Sequence, residues 1–163
     1  MDVTDPHLQA DLLRSWKNGR IVMRDGKLVA IRKRHWAATA SIARVWFQTR
    51  FKPGNSDQCV LDYRSSRLGG LMVLDYIRSG PKTRLATVRG ACQILDEVAR
   101  LRQSVAILAH VSTGAISDRL LTRWGWEPHA TNLAGRHWIK RFYGQYPSVT
   151  TERYVIKSSN DNQ

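Results

Sequence analysis

The stretch that decides the fold runs from Leu71-Met72-Val73-Leu74-Asp75-Tyr76-Ile77, through Arg78-Ser79-Gly80-Pro81-Lys82-Thr83-Arg84, to Ser104-Val105-Ala106-Ile107-Leu108-Ala109-His110-Val111. Its first seven residues are an apolar run of strand length, ended by Ser79-Gly80-Pro81. From Leu85 onward, Val88, Ala91, Cys92, Leu95, Val98 and Ala99 trace one apolar stripe at helical spacing, so a long helix is expected over 84–102. Asp96 and Arg100 stand four apart and are expected to pair on its wet side. Residues 104–111 are again short and apolar. Strand, helix and strand in this order make a βαβ unit with a right-handed crossover.

Upstream, Arg20–Arg24 and Lys27–Ile31 flank Asp25-Gly26, which supplies the positive φ angles of a type I′ hairpin turn. Gln58–Tyr63 reads as a strand that turns at Ser65–Gly70 and pairs with 71–77 as a second antiparallel hairpin. Leu8, Leu12 and Trp16 share one helical face, giving an N-terminal helical segment within 1–18, and 37–48 is read as helix although it also alternates. Downstream, Ser112-Thr113-Gly114 is expected to cap a helix carrying Ile116, Leu120 and Trp124, which Gly125 ends and Pro128 keeps from resuming. Residues 136–143 form a last strand, and 158–163 a flexible tail behind one domain over 19–157. The fold class is therefore α/β: a mixed, mostly antiparallel central sheet with helices on both faces.

Composition narrows the class of protein. At 163 residues, 42% hydrophobic and 24% charged, the chain fits a single globular domain and excludes wholesale disorder. No apolar run approaches a bilayer span, and the acidic start Met1-Asp2-Val3-Thr4-Asp5-Pro6 is no secretory signal, so no membrane partner is expected. Cys59 and Cys92 sit apart in apolar neighbourhoods and read as reduced core thiols of a cytoplasmic protein. The unusual quantity is charge. Lys and Arg number 26 against 13 acids, a formal +13 that favours polyanions such as RNA, DNA, anionic lipid or a phosphate-rich cofactor.

The order of elements over roughly 58–143, together with Gly125-Trp126 at the end of the last helix, resembles the GNAT acyltransferases. The resemblance implies an acyl-CoA lying in a splay between two strands, with its pyrophosphate at the start of the long helix. There Arg78, Gly80, Lys82, Thr83 and Arg84 would bind it, at a helix end that presents free donors to a phosphate. Two departures stand in the sequence. Arg78-Ser79-Gly80-Pro81-Lys82-Thr83 does not follow the family's Arg/Gln-x-x-Gly-x-Gly/Ala turn, and Pro81 removes a donor. Leu121 stands where the family often places a tyrosine that protonates the leaving thiolate.

Two side chains are candidates for proton transfer. Asp75, near the end of its strand, can take a proton from an attacking amine; the plainer reading pairs it with one of the arginines. His110 is a second candidate base, of the residue type that serves most often as one, or else a hydrogen-bonded strand-end histidine. The histidines and cysteines show no metal-ligand spacing, so no metal is expected. Arg32-Lys33-Arg34-His35-Trp36 and Arg136-His137-Trp138-Ile139-Lys140-Arg141-Phe142-Tyr143 interleave cations with aromatics. Either stretch suits single-stranded RNA or DNA, or is a strand with aromatics packed inward and cations in water. The sequence thus predicts transfer of an acyl group, acetyl being the simplest, from acyl-CoA to an amine. Its alternative is a non-catalytic, basic, nucleic-acid-binding or interaction protein on the same fold.

Overall fold

Apolar alternation and the Asp25-Gly26 turn build the first ribbon in the computed structural model, which describes residues 2–35, 56–66, 69–111, 116–149 and 151–155. β2 (Asn18–Arg24) and β3 (Lys27–Lys33) are joined by Asp25 at φ 50° and Gly26 at φ 75°, both in the left-handed region that the turn demands. β4 (Gln58–Ser65) pairs antiparallel with β2, not β3, so the chain crosses from one side of β2 to the other between β3 and β4. β5 (Leu71–Ser79) pairs antiparallel with β4, and β6 (Ala106–Val111) parallel with β5. With β1 (Asp2–Val3), β7 (Glu127–Pro128) and β8 (Arg136–Arg141), the sheet has the order β1-β3-β2-β4-β5-β6-β8-β7. The expected α/β class with a mixed, mostly antiparallel sheet is thereby observed.

α1 (Ala10–Ser15) and α2 (Leu85–Leu101) pack together on one face of this sheet. The stripe on α2 buries Leu95, Val98 and Ala99 completely, with Ile94 beside it also fully buried, in the core shared with Ile21, Met23, Leu61 and Tyr63. At about 25 cal/mol per Å² of apolar surface, this seam supplies most of what holds helix to sheet. Leu85, at the head of the stripe, is half exposed, because the helix has only begun to meet the sheet there. Of the expected face of Leu8, Leu12 and Trp16, Trp16 is buried and Leu12 packs against the core, while Leu8 precedes the helix and stays exposed; Leu13 is the residue of α1 that is fully buried. Asp96 is also corrected. It points inward and pairs with Lys140 of β8 at 2.6 Å, leaving Arg100 to Glu97.

α3 (Asp118–Arg123) is capped by Ser117, whose Oγ accepts from the Leu120 amide, and the expected capping stretch Ser112-Thr113-Gly114 lies outside the described residues. Gly125, at φ 84°, ends it as expected, and the Trp126 amide reaches back to the Leu121 carbonyl. The expected helix over 37–48 and the tail over 158–163 lie outside the described residues. No described helix is long and apolar enough to cross a membrane.

Candidate functional site

The middle of the sheet comes apart at one defined place. Among the described residues β5 and β6 pair from Leu71↔Ala106 to Leu74↔Ala109, yet β5 continues to Ser79 with β4 still paired on its other side. The register with β4 shifts at the same point: Tyr63 faces Leu74 and Asp62 faces Tyr76, so Asp75 is the extra residue of a bulge. A bulge turns its strand and increases local twist, and here it coincides with the end of the β5–β6 ladder. The first residues beyond the last pair are Asp75 on one strand and His110 on the other, the two expected proton acceptors.

Asp75 stands in a cluster of charges. Its Oδ1 accepts from Arg64 Nε at 2.7 Å, so the plainer reading of an arginine partner holds for that oxygen. Beside it, Arg20 grips Asp62 with two hydrogen bonds of 2.7 and 2.9 Å. Arg34 lies between the two carboxylates, its Nη1 3.5 Å from Asp62 Oδ2 and 3.8 Å from Asp75 Oδ2, and makes a hydrogen bond to neither. Arg34 Nη1 and Asp75 Oδ2 are both hidden from water without a partner. Burial pushes the Asp75 carboxyl up from the usual carboxylate value, against the pull of Arg64 and Arg34. The Asp62–Arg64 spacing, two apart on a strand and so on one face, was the sequence signal for this cluster.

The start of α2 is organised differently from expectation. The Gly80 amide donates to Thr83 Oγ1, the Thr83 amide to the Gly80 carbonyl and the Thr83 hydroxyl to the Gln58 carbonyl. The Arg84 amide and guanidinium both donate to Asp57, at 2.9 and 2.6 Å, and the Thr87 hydroxyl donates to it at 2.8 Å. A carboxylate therefore already occupies the positive end of the helix. Burial works to raise the Asp57 pKa, but the Arg84 and Thr87 hydrogen bonds and the Arg84 charge outweigh it and hold it below the usual value. Gly80, Thr83 and Arg84 thus direct their donors into the chain, which corrects their reading as an open phosphate cradle. Lys82 remains exposed on the turn. Sequence reasoning missed Asp57, because a capping carboxylate 27 residues away leaves no local signature; the one hint was the unsuited N-cap, Arg84.

The two cationic stretches are partly folded in. Lys140 is buried against Asp96, Arg141 pairs with Glu127, and Arg136 binds Asp118 and the Ile116 carbonyl. Lys140 is thus corrected from a solvent-facing cation to a core one. Arg32 pairs with Asp2, Arg34 turns inward as described, and Lys33 is exposed. His110 stacks on His137 across the strands, ring centres 4.7 Å apart and 14° from parallel. Trp126 and Trp138 are core residues, and Leu121 is buried beside them. Both cysteines are buried thiols; burial pushes Cys59 up to about 12. Among the described residues no group of three or more His, Cys, Asp and Glu is placed to hold a metal.

For an acyl-CoA the fit is divided. Beyond Leu74 the β5–β6 ladder ends among the described residues, which suits a narrow arm, whereas at the helix start a diphosphate meets Asp57 and the exposed Lys82. Comparison with known proteins found no matching family model, no matching curated protein and no matching solved structure.

Proposed function

We propose that the chain is a GNAT-like acyltransferase that moves an acyl group from acyl-CoA to an amine in the gap between β5 and β6. The observation that carries this reading is the parting of the two strands after Leu74↔Ala109, coincident with the Asp75 bulge. The bound acyl-CoA supplies an activated thioester carbonyl. Among the described residues the ladder with β6 ends at Leu74↔Ala109, and the backbone at Asp75 and His110 just beyond it is where an extended arm can hydrogen-bond and a carbonyl can be polarised. Asp75, its carboxyl raised by burial, accepts the proton that the amine gives up as its nitrogen bonds to the carbonyl carbon and the C–S bond breaks. His110 stands on the opposite lip as the alternative acceptor. Leu121 offers no acid to the departing thiolate, which leaves unprotonated by this helix. Lys82, exposed on the turn, is the group for the diphosphate.

Acetyl-CoA is expected to raise the melting temperature, by about 2.7 kcal/mol of added stability at a hundredfold excess over Kd. Lys82→Ala is expected to weaken that gain. An unchanged melting temperature at millimolar acetyl-CoA removes the assignment. The polyanion alternative draws less support, because Arg136, Lys140 and Arg141 are held in ion pairs.

A further inference from the structure

The open pair formed by Arg34 Nη1 and Asp75 Oδ2 has a chemistry that restricts what can fill it. One is a charged donor and the other an acceptor, 3.8 Å apart, each buried and each without a hydrogen bond. Their neighbours are saturated: Arg20 takes both oxygens of Asp62, and Arg64 takes the other oxygen of Asp75. An ammonium placed there would satisfy Asp75 but press against the Arg34 guanidinium. A carboxylate or phosphate would satisfy Arg34 but meet Asp75 and Asp62. A hydroxyl does both tasks, accepting from Arg34 and donating to Asp75.

We infer that Arg34 and Asp75 form a subsite for a hydroxyl group next to the reacting amine, so that the acceptor is an amino alcohol or amino sugar; with Asp75 Oδ1 held by Arg64 and Oδ2 by that hydroxyl, the amine's proton passes to His110 on the opposite lip. The position supports this class. Asp75 is the bulge residue at the lip of the gap, and Tyr76 beside it is half exposed, so a ligand reaching Asp75 has its remaining atoms in the opening where an amine is attacked. This inference rests on the acyltransferase reading for the reaction, but not for the binding.

The test uses the full chain and two pairs of probes differing in their hydroxyls: 2-aminoethanol against ethylamine, and 2-amino-2-deoxyglucose against cyclohexylamine. With acetyl-CoA present, the hydroxyl-bearing member of each pair is expected to win by about 100-fold or more in kcat/KM, since a site built to hydrogen-bond a hydroxyl rejects the analogue lacking it. Arg34→Met, and Arg34→Lys should Met not fold, are expected to reduce that ratio at least tenfold (~10, a loss on the scale of one charged hydrogen bond). A wild-type ratio near one, or a ratio that both variants leave unchanged, overturns the inference while leaving acyl transfer intact; a resident water in the gap gives that result. If no amine is acylated, calorimetric titration without acyl-CoA decides. Binding of the hydroxyl-bearing probes alone keeps the subsite and discards the transferase, and equal or absent binding discards the subsite.

Discussion

Two polar assemblies flank the far half of β5, and they differ in completeness. At the start of α2, Asp57 receives an amide, a guanidinium and a hydroxyl, and the neighbouring Thr83 is satisfied at both its amide and its hydroxyl. At the bulge, Asp62 is saturated, but Arg34 and Asp75 each keep one atom open. Both assemblies are made of arginine and aspartate. A closed network holds backbone elements together, while an open one carries an energetic penalty that a ligand can relieve. The residues that looked most like a binding turn belong to the closed network, and the open one formed where a strand took in one residue too many.

The contrast can be pressed hardest on the most enclosed closed pair, Lys140 with Asp96. Lys140→Ala leaves a buried carboxylate alone and is expected to lower stability by about 3–5 kcal/mol, whereas Lys140→Met combined with Asp96→Leu is expected to be close to neutral. Chemical denaturation of the three proteins checks both. A small loss for Lys140→Ala would mean that the pair is not dry, and the distinction between closed and open networks would blur.

Asp57→Ala is the next largest, a loss of about 1 kcal/mol typical of a removed helix cap. Its pH dependence has a definite sign. The folded pKa of Asp57 lies below its ordinary 3.8, so its stabilisation is complete above that value and disappears as pH falls through the folded pKa. Melting curves of the variant are expected to lack this acid loss.

Asp75→Asn gives the smallest change, within about 0.5 kcal/mol near neutrality, and the opposite slope. A carboxyl raised above 3.8 favours the fold most below that value and loses this contribution as pH rises through the folded pKa. Asparagine removes that fall. If Asp75→Asn behaves like Asp57→Ala, the bulge is a staple and not a site.

Much of this was readable in advance. Asp25-Gly26 fixed the first hairpin through backbone angles alone, the α2 stripe announced its buried face, and Gly125 marked a helix end, because each signal is local. Lys140 was not legible, because Trp138, Ile139 and Lys140 are all buried, so alternation singles out no inward cation there, and its partner Asp96 stands 44 residues away. What stayed hidden depends on distant partners. No glycine or proline marks the bulge at Asp75, which follows from how β4 and β5 settle their register. The crossing from β3 past β2 to β4 likewise has no local cause, since hairpin chemistry specifies the turn but not which strand of the ribbon the next one joins.

That crossing leaves β3 with its outer side turned away from the sheet. Two scraps of chain take it up: Asp2 and Val3 pair with Arg32 and Ile31 at one end, and Val155 bridges Leu28 at the other, with the Leu28 amide bonded to the Tyr154 carbonyl. An uncovered strand border is a template for joining copies of a protein edge to edge, and these few residues stand guard over it. Trimming either segment would bare part of that border to a second copy and would also take a core residue with it, Val3 at one end and Tyr154 at the other, so loosening and self-association would arrive together.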